Sequence, residues 1–309
     1  MAEPTPGRGG RTTVAIITRN RRDSLLHTLD RLAALPEKPP VIVVDNGSTD
    51  GTGEAVRRHP VGARLLSPGR NTGALGRNLA ARHATTPYVA FSDDDSWWEP
   101  GALKTAEALF DTYPRLGLLA SRTLVHPTGE PDPLNRVLAA SPLPAQADLP
   151  GTPVLGFLGC AAVVRRSAFL DAGGYHPLLF FGAEETLLAY DLTAAGWGVV
   201  HEPSLVAHHG PHADERPGRA ATVLRNSLLT AWLRRPLPVA LRETARLLRA
   251  WTRGRPGAGT ALAQTLRRLP AALHRRRELP PWVERRIRLL ESAQAAQAAQ
   301  AARENGDRR

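Results

Sequence analysis

The chain has 309 residues, 42% of them hydrophobic, one cysteine and a formal charge of +11 at pH 7. That is enough apolar material for one large packed domain, or a medium domain with an addition, and the single Cys160 excludes an internal disulfide and any cysteine-based zinc cluster. No apolar run reaches the roughly 18–20 residues that cross a bilayer, and the opening MAEPTPGRGGRTT has no apolar stretch that could serve as a secretory signal, so a cytoplasmic location is expected.

The charge is unevenly divided. From Arg216 to Arg309 there are 21 arginines against 6 acidic residues, whereas the preceding chain has 19 basic and 23 acidic residues. The basic character therefore belongs to the C-terminal third, which could meet nucleic acid, an anionic membrane surface or an acidic partner.

Residues 1–11, rich in Gly, Pro and Arg, read as a disordered lead-in. Thr13–Thr18 and Val41–Asp45 are short β-branched runs of the kind buried on both faces of a sheet. Between them, Arg22–Leu35 carries Leu25, Leu26, Leu29 and Leu32 at helical spacing and stops before Pro36, completing a βαβ unit. The pattern repeats with a helix over 74–84, a strand over 88–92, a helix over 100–113 and a strand over 116–124. Such alternation predicts an α/β domain, over 12–215, on a mostly parallel sheet whose ligand site lies at the carboxyl ends of the strands.

Pro127–Pro153 is Pro-rich and weakly periodic and is expected to be a mobile loop over that site. Val154–Arg165 reads as a further buried strand, with Cys160 packed inside it, and Glu184–Ala195 as a helix closed by Gly196. From residue 216 the chain turns to Arg-rich amphipathic helices, over 219–234, 237–253, 259–276 and 281–298, separated by Pro and Gly. These form a basic helical appendage over 216–298. The tail, 299–309, continues an Ala-Gln repeat with high helix propensity but little apolar surface to pack, so fraying is expected.

Four constellations carry candidate chemistry. In Asp45-Asn46-Gly47-Ser48-Thr49-Asp50-Gly51-Thr52 the polar residues can cap the following helix, but Asp45 ends a buried strand and faces the ligand crevice, where it can accept from a nucleobase or ribose. In Ser92-Asp93-Asp94-Asp95-Ser96, again at a strand end, three adjacent carboxylates repel one another unless a cation compensates them; oxygen ligands suit Mg²⁺ or Mn²⁺, against the alternative of a solvated acidic turn. Glu184 and Glu185 start a helix, where they would favour its dipole or serve as a general base beside apolar groups. Of His208 and His209, adjacent on a strand, only one can face the site and lend a nitrogen to the metal.

Taken in order, VIVVDNGSTDGT, Asn71-Thr72-Gly73-Ala74-Leu75-Gly76-Arg77-Asn78, FSDDD and the Gly-Ala-Glu-Glu helix start with its downstream histidine resemble family-2 glycosyltransferases of the GT-A fold, rhamnosyltransferase-like, over about Thr13 to Gly210. Gly159–Arg166 and Ala172-Gly173-Gly174-Tyr175 are similar to that family's acceptor-side segment. The resemblance implies a Rossmann-like nucleotide-diphospho-sugar transferase fold and an inverting, metal-dependent transfer from a UDP, dTDP or GDP sugar to a saccharide, lipid-linked or small-molecule hydroxyl, in a setting such as cell envelope polysaccharide synthesis. It implies that Thr18, Arg19, Asp45, Asp93 and Asp94 meet the donor, that Asp95, Asp93 and His208 hold Mn²⁺ or Mg²⁺, and that Glu185, with Glu184 beside it, is the base. The helix departs from the family's Glu-Asp pattern, with Asp191 further along, and no Gln-x-x-Arg-Trp motif of processive synthases is present, which favours single additions.

A nucleotidyltransferase would place a Gly-rich phosphate loop after the first strand, and Thr18-Arg19-Asn20-Arg21-Arg22 has no glycine. Nucleic acid binding is disfavoured because the basic helices offer few aromatics, chiefly Trp232, Trp251 and Trp282. Peripheral contact of those helices with a membrane, near lipid-linked acceptors, is the expected use, beside the plainer role of bracing the domain.

Overall fold

The structure, a computed structural model, describes residues 10–211 and 218–306. The first half alternates as expected: β1 (Thr12–Thr18), α1 (Arg22–Ala33), β2 (Val41–Asp45), α2 (Thr52–Arg58), β3 (Arg64–Leu66), α3 (Leu75–His83), β4 (Tyr88–Asp93), β5 (Ser96–Trp98), α4 (Ala102–Thr112) and β6 (Leu116–Val125). Then follow β7 (Glu130–Pro131), α5 (Pro133–Ala139), β8 (Thr152–Pro153), β9 (Ala162–Arg165), α6 (Arg166–Asp171), α7 (Glu184–Ala194) and β10 (Gly198–His209). Four helices complete the chain: α8 (Arg219–Arg234), α9 (Leu237–Thr252), α10 (Ala258–His274) and α11 (Pro281–Gly306).

One sheet organises the domain, in the order β3-β2-β1-β4-β9-β6-β10-β5. The pairs β3-β2, β2-β1, β1-β4 and β6-β10 are parallel, while β9 and β5 run antiparallel to their neighbours. β1, β2 and β4 are buried on both faces, which is why they read as unbroken apolar runs; one apolar cluster lies on each side of the sheet. The register sets Thr18 opposite Asp45 and Ile17 opposite Asp93, so the polar ends of these three strands emerge at one edge.

Several expectations need correction. Pro127–Pro153 is ordered: Asp132 caps α5 by accepting from the Leu134 N–H with Pro133 in the first turn, Asn135 bonds both backbone groups of Thr123, and Leu138, Leu143 and Leu149 are buried. The strand expected over 154–165 shrinks to β9, because 154–161, with Gly156 and Gly159, leaves the sheet and brings Gly159 beside Arg77 and Glu185. Arg11, assigned to the lead-in, is pinned to Asp111 at 2.6 Å; residues 1–9 lie outside the described residues, as do the domain boundary at 215/216 and residues 307–309. The backbone of α11 stays helical through Gly306, past the expected end at 298.

The C-terminal helices begin and end close to where periodicity placed them, and they pack onto the α/β domain. Leu229 and Leu233 of α8 bury with Leu179 and Leu187, and Val283 and Ile287 of α11 bury with Leu155 and Tyr190. Arg234 grips Asp191 through two nitrogens, at 2.5 and 3.0 Å, and Arg235 grips Glu284 and Glu291. Part of the arginine excess is therefore spent inside the fold, holding α7 and α11 to α8.

Candidate active site

The acidic loop leaves β4 and turns back at once into β5. Asp93 keeps some exposure, Asp94 is buried, and Asp95 follows; the Asp93 N–H donates to the Ser96 hydroxyl, which closes the turn. Thr18 donates its hydroxyl to Asp94 Oδ2 at 2.9 Å, and Ser24 and Thr28 of α1 donate to the Asp94 carbonyl. Asp94 thus anchors the loop beneath α1, and Thr18, itself 3% exposed, is spent on it. Burial, reinforced by the charges of Asp93 and Asp95, pushes the Asp94 carboxyl up to about 7.

β-strand alternation decides between the histidines. Pairing of β10 with β5 sets His209 opposite Ser96 and His208 opposite Trp97. His209 Nε2 lies 3.5 Å from Asp95 Oδ1. His208 faces the other side, bonded to Glu99 and stacked on Trp97 with centroids 5.5 Å apart. The histidine that reaches the aspartates is therefore His209, not the His208 that the resemblance favoured.

Arg77 of α3 is the centre of the site. It is 1% exposed, places one guanidinium nitrogen 2.5 Å from Asp93 Oδ1 and another 3.9 Å from Glu184 Oε1, and lies over the ring of Tyr175 at 5.5 Å. Glu184 is 1% exposed, whereas Glu185 keeps partial exposure beside Gly159, where a Cβ would come within 2.8 Å of Glu185 Oε1. Burial raises the pKa of both glutamates and Arg77 opposes the rise. The second cation is Arg21, 3.6 Å from Asp95 Oδ2 and 3.9 Å from Asp94 Oδ1. Arg19, the expected donor contact, is exposed.

Asp45 ends β2 as expected, with one oxygen accepting from the Ser48 N–H at 2.8 Å. Asn46 fastens the neighbouring turn: it accepts from the Thr72 N–H and hydroxyl and donates to the Gly73 carbonyl. Gly174 and Tyr175 are structural, since Asn78 bonds both the N–H and the carbonyl of Tyr175, and a Cβ at Gly174 would sit 2.6 Å from Asn78 Oδ1. Cys160 is buried as expected.

Buried polar atoms without a hydrogen-bond partner gather here: Arg77 Nε and Nη1, Arg21 Nη1, Glu184 Oε2 and His209 Nδ1. Such atoms are costly in a finished core and point to a site shaped for a polar ligand. Among the described residues no three His, Cys, Asp or Glu side chains converge as a complete metal cage. Arg21 and Arg77 were not assigned by sequence reasoning, although Arg77 lies inside a motif it singled out; a lone arginine on a helix carries no local sign that it will be buried between carboxylates.

The decisive comparison is with the model of glycosyl transferase family 2, which matches residues 13–173, more than half of the chain. The chain is a family-2 glycosyltransferase. An N-acetylglucosaminyl-diphospho-decaprenol L-rhamnosyltransferase of Mycobacterium tuberculosis is 31% identical to this glycosyltransferase over 238 residues, 66% of this chain and 77% of that protein. In fold it is similar to the mannosyltransferase PcManGT of Pyrobaculum calidifontis, solved with GDP-Man and Mn²⁺, with a TM-score of 0.58 and 24% identity over 97% of this chain and 83% of the other. Residues 1–349 of TarS from S. aureus, solved with UDP-GlcNAc, give a TM-score of 0.54 and 17% identity over 85% and 90%. The sheet and its helices are the GT-A arrangement, and membership of the family sets aside the nucleotidyltransferase reading.

Proposed function

We propose that the enzyme transfers a sugar, an L-rhamnosyl group in the first instance, from a nucleoside diphosphate to a hydroxyl of an N-acetylglucosaminyl diphosphate lipid, with inversion. The sugar and acceptor rest on the Mycobacterium tuberculosis relative, and a dTDP, UDP or GDP sugar fits the donor side formed by Asp45 and Asp93. The observation that carries the reading is the pair of carboxylate groups joined by one buried cation: Asp93, at the end of β4, and Glu184, at the start of α7, both contact Arg77.

Glu185 accepts the proton of the acceptor hydroxyl, whose oxygen bonds to the anomeric carbon as the bond from that carbon to the diphosphate breaks on the opposite face. Its partial exposure suits it to this better than Glu184, which is enclosed with Arg77 and holds that guanidinium in place. Arg21 supplies positive charge near the leaving group. Asp95 and His209 would hold Mn²⁺ or Mg²⁺, and the ion would offset the charge that develops on the departing diphosphate.

The C-terminal helices suit a peripheral contact with the inner face of a membrane. Among the described residues no helix is long and apolar enough to cross one. On α9, however, Leu237, Leu241, Leu248 and Trp251 fall on one side at i, i+4, i+11 and i+14 and are all exposed, with exposed Arg242, Arg249 and Arg253 alongside.

Thermal unfolding with a panel of nucleoside diphosphates and nucleotide sugars, with and without Mn²⁺, tests the reading: a metal-dependent rise confined to one base supports it and names the donor. No rise with any of them, in folded protein, overturns it.

A further inference from the structure

The turn that leads into α7 is built against its own backbone preferences. Phe180 has φ +65° and Ala183 has φ +62°, two side-chain-bearing residues in the left-handed region within four positions. Such conformations persist only where the surroundings over-determine them, and they gather at ligand clamps. Here the surroundings come from both halves of the molecule. The Ala74 N–H donates to the Phe180 carbonyl at 2.7 Å. From α8, fully buried Asn226 donates to the carbonyls of Leu179 at 2.8 Å, Phe181 at 3.1 Å and Gly182 at 2.5 Å, and Arg225 donates to Leu179 at 3.0 Å.

The turn leaves one aromatic residue exposed. Leu179 is fully buried and Phe181 packs against the core, yet Phe180 between them is 41% exposed. Its ring lies against the 71–74 turn, where a Cβ on Gly73 would come within 2.8 Å of Phe180 Cδ2 and 2.4 Å of its carbonyl oxygen. Asn46 ties that turn to the end of β2, on the donor side, while Glu184 and Glu185 follow Phe180 by four and five residues. The ring therefore borders the turn that Asn46 joins to the end of β2, and the chain that carries it runs on directly into Glu184 and Glu185.

We propose that Phe180 is the platform on which the sugar ring of the acceptor stacks, held at its station by Asn226 and Arg225 of α8. A pyranose presents an apolar face of C–H bonds that packs on the electron-rich face of an aromatic ring while its hydroxyls remain free for the base, and a rigid ring loses little freedom in doing so. The assignment rests on the transferase reading above.

The test uses the full chain, a nucleotide-sugar donor with Mn²⁺, and N-acetylglucosaminyl diphosphate on a short farnesyl chain as acceptor. Phe180→Ala should raise the acceptor KM about tenfold, Phe180→Trp and Phe180→Tyr should stay within about threefold of wild type, and Phe180→Leu should behave like Ala. The thermal shift produced by donor should be the same in all. Asn226→Ala should raise acceptor KM and lower kcat with the donor shift intact. An unchanged acceptor KM in Phe180→Ala, or full recovery by Leu, which would mark a lipid contact, overturns the platform while leaving the transferase reading standing. Absence of a donor shift in wild type would remove that reading and the platform with it.

Discussion

His209 Nε2 lies 3.5 Å from Asp95 Oδ1, while the imidazole one residue earlier points to the opposite side of the strand and bonds Glu99. If Asp95 and His209 hold the ion, His209→Ala should weaken Mn²⁺ about tenfold or more, and His208→Ala should leave it near wild type. Titrating Mn²⁺ against the nucleotide-induced thermal shift reads both; equal effects would remove His209 from the metal site.

The ion pair between Arg234 and Asp191 joins α8 to α7 and is nearly enclosed, with the two side chains 4% and 12% exposed. Arg234→Ala leaves a carboxylate in that enclosure without its partner, and the expected loss is about 3–5 kcal/mol of stability. Urea unfolding followed by circular dichroism would measure it. A loss under about 1 kcal/mol, the range of exposed pairs, would mean that α8 is less integral to the domain than its contacts indicate.

Stability should fall as pH rises. Asp94 holds its proton until about 7 in the folded chain, against an ordinary 3.8, because burial and then the charges of Asp93 and Asp95 oppose its ionisation. Between these values the folded state binds more protons than the unfolded one, so unfolding becomes easier with each step in pH from about 4 to about 7. The upward shifts of Glu184 and Glu185 act in the same direction. The ligand-free protein should thus melt several degrees lower at pH 8 than at pH 5. Asp94→Asn should flatten the profile, as should Mn²⁺ with the nucleoside diphosphate; a melting point that rises over this range would contradict the assignment.

Leu248→Glu and Trp251→Glu change exposed side chains of α9 and should leave folding nearly untouched. If that face meets lipid, flotation with anionic vesicles should fall several-fold in either variant, and wild-type flotation should weaken with salt. Equal flotation of variants and wild type would assign the arginine-rich helices to bracing alone.

Much of this enzyme is legible in its sequence because its elements are encoded by local spacing. Leu25, Leu29 and Leu32 recur at helical period and are all buried on α1; the unbroken runs of β1 and β2 mark strands covered on both faces; and the acidic run after Phe91 falls at a strand end because β4 is apolar up to that point. From these the α/β sheet, its carboxyl-end crevice and the carboxylates in it could be placed in advance.

The tertiary structure decided what depends on pairing between distant segments. Period 2 in β10 could say that one histidine faces the site, but only the register of Ser96 with His209 says which. Arg77 becomes the link between Asp93 and Glu184 through contacts that span 16 residues to the first and over a hundred to the second, and no local pattern reports them. The arginines of α8 look like a solvated basic face in one dimension, yet Arg225 and Arg234 are nearly buried because the Leu179 carbonyl and the Asp191 carboxylate wait for them across the helix interface. Burial of a charge is a property of its partners, and partners are chosen by the fold.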